Sequence, residues 1–95
     1  KKKVHSALYE KLKEQFEDPD YYMIDELATR IQNAIKELPD SYRETFELSR
    51  FGDMTNAQIA ATLSVSIKTV EYRMSQSLKI LRFKLKDYIT FLAFL

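Results

Sequence analysis

Placed at about 100° per residue from Ile67 onward, Lys68, Tyr72, Ser75, Gln76 and Lys79 fall on one side of a helix. All five carry hydrogen-bonding groups, and their chemistry matches the edges of base pairs. A Gln amide can bond adenine through two contacts, a Lys ammonium can reach guanine, and a Tyr ring can meet a thymine methyl. Thr69 and Arg73 lie on one flank of that row and Glu71 on the other. The long Arg73 side chain suits a phosphate, which positions a protein without reading sequence. Thr55 and Ser66, at the starts of two successive helices, complete the set expected to face a polyanion. Any amphipathic surface helix has a polar outer face, so the row alone decides little. What precedes it in the chain decides more.

The residues before it are built to start and stop helices. Thr55 is an N-cap with Gln58 three residues on, a capping box, and Met54 and Ile59 occupy the positions of a hydrophobic staple. Leu63 ends that short helix. Ser66 caps the next one, and Val65 with Val70 repeats the staple. Two such starts so close together leave room for about two helical turns and a three-residue corner. That spacing predicts a helix-turn-helix, whose second helix enters the major groove. On that helix Val70, Met74, Ser77, Leu78 and Leu81 form the inner face, expected to pack on the two helices before it.

The rest of the chain reads as helix as well. Its 95 residues contain one Gly, two Pro and no Cys, and helix-forming residues dominate. We expect an all-α bundle of about five helices with a C-terminal helix-turn-helix. Val4, Leu8, Leu12 and Phe16 make a narrow stripe over 4–17. Pro19 breaks it. Ile24, Leu27, Ala28, Ile31, Ile35 and Leu38 then follow helical spacing from Tyr22 to Glu37. Pro39 stops this helix and, with Asp40, starts a third, on which Tyr42, Phe46 and Phe51 face inward. Gly52 stands where a helix end uses positive φ. Tyr21 and Tyr22 read as packing or surface residues.

Charge is unevenly distributed. Residues 1–9 carry three Lys, residues 10–53 carry twelve acids against six bases, and residues 54–95 carry six bases against two acids. The net +1 therefore hides a basic end that coincides with the helix-turn-helix. With one His, no Cys and no paired carboxylates or nucleophile–base set, a catalytic centre has few parts available, and we expect no enzyme, no cofactor and no metal site. The absence of Cys fits a reducing cytoplasm. The apolar end "YITFLAFL" is far shorter than the ~20 residues of a spanning helix, so no membrane insertion is expected. The chain opens at Lys1 rather than Met and is expected to be a piece of a longer protein.

The stretch from Ile35 to Arg82 resembles region 4 of bacterial RNA polymerase sigma factors, and within them the extracytoplasmic-function (ECF) class. The residues that carry the resemblance are Leu38-Pro39, Arg43, Phe46, Gln58-Ile59-Ala60, Leu63, Ser66, Thr69-Val70, Arg73 and Leu81-Arg82. Gln58 replaces the usual Glu, Ser64 a frequent turn Gly or Asn, and Ser77 a common Ala. The resemblance implies a domain that reads the −35 promoter element while docked on the flap of core RNA polymerase. It further implies that 1–37 form a connector after an absent region 2, that 38–87 form region 4, and that 88–95 are an apolar extension. A LuxR-type response-regulator domain shares part of the pattern but lacks the Leu-Pro start and usually has His at the position of Arg73. A helical domain that binds a protein such as an anti-sigma factor is the alternative of a different kind. Ile80, Phe83, Tyr88, Phe91, Leu92 and Phe94 leave the amphipathic pattern, and from Phe83 onward they are expected to dock protein, to fold back on the first two helices, or to pair with a second copy. Phe83 lies eleven residues beyond Tyr72, about 16 Å along the axis, where the helix has left the groove.

Overall fold

The computed structural model describes residues 2–18 and 20–91, with side chains from Val4 to Tyr88. Among the described residues there are five α-helices and no strand: α1 (Lys2–Lys13), α2 (Tyr21–Lys36), α3 (Asp40–Arg50), α4 (Asn56–Leu63) and α5 (Ile67–Lys84). A short 3₁₀ segment, Lys86–Phe91, follows and is broken at Tyr88. The chain is elongated, 43 × 23 × 19 Å. At one end α1 and α2 pair; at the other α3 and α4 pack on α5, which also touches α2.

Each helix forms where its apolar spacing gives it a face to bury. Val4, Leu8 and Leu12 of α1 meet Ile24, Leu27, Ala28, Ile31 and Ile35 of α2 in the core. Asp20 caps α2, accepting from the backbone N–H groups of Tyr22 and Met23 at 3.0 and 3.3 Å. The first helix is shorter than its stripe: it ends at Lys13, and Phe16 packs on the core from the segment after it. Pro19 lies outside the described residues.

Helix α3 begins at Asp40, and Pro39 stands just before it as the N-cap residue, its carbonyl accepting from the Arg43 N–H at 2.8 Å. Arg43 ties it back to α2. Its guanidinium donates to the Lys36 carbonyl at 3.4 Å and pairs with Asp40 at 3.1 Å. Phe46 is fully buried, and Phe51 packs edge-on to it, 6.4 Å between centroids.

The end of α3 corrects one expectation. Gly52 has no positive φ; Asp53 takes that conformation instead, at φ 55°. The reason for glycine is space. A Cβ at position 52 would stand 2.8 Å from the Leu48 carbonyl oxygen, closer than real Cβ atoms approach. Asp is among the residues that tolerate the left-handed region.

Candidate nucleic-acid interface

The corner between α4 and α5 is made as its residues require. Thr55 and Gln58 form the reciprocal capping box: the Thr55 hydroxyl accepts from Gln58 N–H at 3.1 Å, and the Gln58 amide oxygen accepts from Thr55 N–H at 2.8 Å. Gln thus does the work of the more usual Glu without its charge. Ser64 closes α4 in the left-handed region at φ 58°, ψ 45°, and the Val65 N–H reaches back to the Ala60 carbonyl at 3.0 Å. Ser66 then caps α5, accepting from Thr69 N–H at 3.0 Å. Met54 and Val65 pack partly buried against the core that contains Ile59 and Val70.

Helix α5 buries the face its periodicity selects. Val70, Met74, Ser77 and Leu81 are buried, and Leu78 packs beside them. Ile80, which leaves the simple pattern, also packs partly buried against the core and is not part of an outward patch. Ser77, where Ala is common in the resemblance, donates to the Tyr42 carbonyl at 3.4 Å. Buried, it keeps its hydroxyl satisfied.

On the opposite side, Lys68, Glu71, Tyr72, Ser75 and Lys79 are exposed, and Gln76 is half-buried. This row begins within the first turn of α5, two residues after its cap Ser66. The exposed bases Lys68, Lys79 and Arg82 make the surface basic, with Glu71 as the one acid of α5. Thr69 turns inward, its hydroxyl accepting from Ser66 Oγ at 2.9 Å, so both side chains serve the cap first. Thr55 is exposed and likewise engaged in its own box.

Two members of the set are held by α3, which the helical wheel does not show. Tyr72 keeps 58% of its surface exposed, yet its ring meets Tyr42 edge to face, 6.4 Å between centroids at 80°. The neighbouring Tyr72 hydroxyl first, and then burial, push the Tyr42 phenol above its ordinary pKa. Arg73 is half-buried and donates from Nη1 to Thr45 Oγ1 at 3.4 Å.

The residues expected to dock protein separate. Phe83 is 73% exposed, with the Lys86 ammonium 5.4 Å from its ring centre. Tyr88 is half-buried beneath the Arg30 guanidinium of α2, 5.7 Å from its ring centre, so this part of the end region folds back onto the hairpin. Leu92, Phe94 and the side chain of Phe91 lie outside the described residues. Among the described residues, no group of His, Cys, Asp or Glu is placed to hold a metal, and no helix is long and apolar enough to cross a membrane.

A three-helix unit with a capped corner and an outward polar, basic second helix defines a helix-turn-helix DNA-binding domain. The family model for sigma-70, region 4, matches residues 28–81, more than half of the chain. The chain belongs to the sigma-70 region 4 family, a family of DNA-binding, promoter-recognition domains and not of enzymes. Membership carries interaction with DNA and RNA polymerase in general. No curated protein and no solved structure matches the chain.

Proposed function

We propose that this chain is the promoter-reading domain of an ECF-class sigma factor, with α5 in the major groove of the −35 element. The observation that carries this reading is the outward row of exposed Lys68 and Tyr72 with half-buried Gln76, which starts beside the capped N-terminus of α5. These side chains can address base edges, while Arg73, Lys79 and Arg82 serve phosphates. Thr55, Ser66, Thr69, Glu71 and Ser75 border the same surface. In this assignment residues 1–37 are the connector from region 2, 38–87 are region 4 and 88–95 are an apolar extension. The domain works in the cytoplasm with core polymerase.

The acidic segment 10–53 opposes the duplex, so binding by the isolated chain is weak and strongly salt-dependent. A handful of phosphate contacts gives a slope of roughly −3 to −5 in log K against log salt. A mobility-shift titration across salt concentrations tests this, with promoter duplexes against scrambled ones. Preference for the promoter duplex and a steep slope are expected; equal binding of both, or binding indifferent to salt, contradicts the proposal.

Phe83 supports a second contact. An aromatic 73% exposed beyond the reach of the groove fits a protein seat, and we assign it to the flap of core polymerase, or to an anti-sigma factor in the repressed state. On their apolar sequence alone, Tyr88, Phe91, Leu92 and Phe94 are assigned to the same protein contact. Phe83→Ser is expected to leave melting unchanged and to weaken capture of core polymerase. Unchanged capture removes Phe83 from the seat.

A further inference from the structure

Two α3 side chains three residues apart, Tyr42 and Thr45, meet two adjacent α5 side chains. Tyr42 meets Tyr72 through ring edges, and Thr45 meets Arg73 through a hydrogen bond. The two contacts differ in kind. Tyr72 belongs to the outward row and is still 58% exposed, so its ring is steered from one side only. Thr45 is fully buried, and its hydroxyl proton is committed to the Ser41 carbonyl at 2.8 Å. Only its oxygen lone pairs are left to face Arg73. A guanidinium has five N–H donors, so one bond to Thr45 leaves others to reach a phosphate. A side chain held before binding loses less freedom when it binds.

From this placement we infer that Tyr42 and Thr45 are positioning residues with separate duties. Tyr42 orients Tyr72 toward a base, and Thr45 orients Arg73 toward a phosphate. The inference rests on the reading of α5 as the DNA-facing helix. A purely structural role for α3 would move stability and affinity together. Separate duties move two different observables.

The test measures base preference on a randomised duplex library and the salt slope of affinity, at a temperature where circular dichroism shows every variant folded. Tyr42→Leu is expected to relax preference at the base position that Tyr72→Leu relaxes, by about two- to tenfold. The double variant should show no further change, because the two residues act as one unit. Thr45→Val is expected to weaken all duplexes alike by about two- to tenfold and to lower the salt slope toward that of Arg73→Ala. Thr45→Ser, which keeps the hydroxyl, should restore both. Should Tyr42→Leu melt within the assay range, Tyr42→Met keeps more volume, removes the ring and carries the same expectation. The inference is overturned if the Tyr42 and Thr45 variants weaken every sequence by one common factor with preference and slope intact. Effects that merely add to those of Tyr72→Leu and Arg73→Ala overturn it too. A wild-type chain indifferent to duplex sequence overturns the reading of α5 itself. That is distinct from a wild type with a preference that Tyr42→Leu keeps, which overturns only the positioning.

Discussion

Among the described residues, every buried side chain of the α1–α2 hairpin is aliphatic, whereas the α3–α5 unit buries two hydroxyls, Thr45 and Ser77, among its apolar residues. Outside, the hairpin presents Glu10, Glu26, Asp25 and a 90% exposed Tyr22, while α5 presents Lys68, Tyr72 and Lys79. Aliphatic contacts hold two helices together but are non-directional. Hydrogen bonds such as Ser77 to the Tyr42 carbonyl and Arg73 to Thr45 also fix how a helix is rotated on its neighbour. In the hairpin the directional contact across the two helices, His5 to Asp25 at 3.2 Å, lies toward the surface, whereas beneath the proposed DNA-facing side of α5 such contacts reach into the core. The hairpin needs only to stay closed.

The largest expected effects separate the two regions by their cores. Phe46→Ala should cost about 3–5 kcal/mol, because the ring is fully buried and the cavity lies under α5. DNA binding should be lost with it. Leu8→Ala should cost about 2–5 kcal/mol in the hairpin. Below its melting temperature it should leave base preference unchanged. Chemical denaturation with binding measured in parallel checks both; a changed preference in the Leu8 variant breaks the comparison.

Next in size is readout. Gln76→Ala should cost about 1–3 kcal/mol of discrimination at one base position and little elsewhere. A selection from randomised duplexes measures it. An unaltered selected sequence would mean that α5 is rotated differently against the groove.

Smaller effects concern the corner. Ser66→Ala should lower stability by about 1 kcal/mol, since Thr69 N–H loses its acceptor. Ser64→Gly is expected to change stability by less than about 0.5 kcal/mol: relief of left-handed strain is offset by the greater freedom of glycine in the unfolded chain. Thermal melts compare the two. A Ser64 variant more disruptive than the Ser66 one would show that the serine hydroxyl at 64 holds the corner.

What was legible in the sequence follows the same division. The caps at Thr55 and Ser66 set the starts of α4 and α5, because a cap is a local hydrogen bond between neighbours in the chain. The apolar stripes marked the buried faces for the same reason. Non-local geometry was hidden. The spacing of α5 puts Tyr72 and Arg73 outward or on the flank and says nothing of Tyr42 and Thr45, which reach them from α3. Ile80 looked outward on one helix taken alone and is covered once its neighbours are in place. At Gly52 the residue type pointed to positive φ, but the crowding by the Leu48 carbonyl is what glycine serves there.

The central claim is that α5, seated on α3, meets DNA while the hairpin stays clear. The most direct measurement is nuclear magnetic resonance of the isotope-labelled chain during titration with a promoter duplex. The largest amide shifts should cluster over residues 66–79, with smaller ones at Thr55 and little change from Lys2 to Lys36. Shifts concentrated on α1 and α2, with α5 unmoved, would contradict the account.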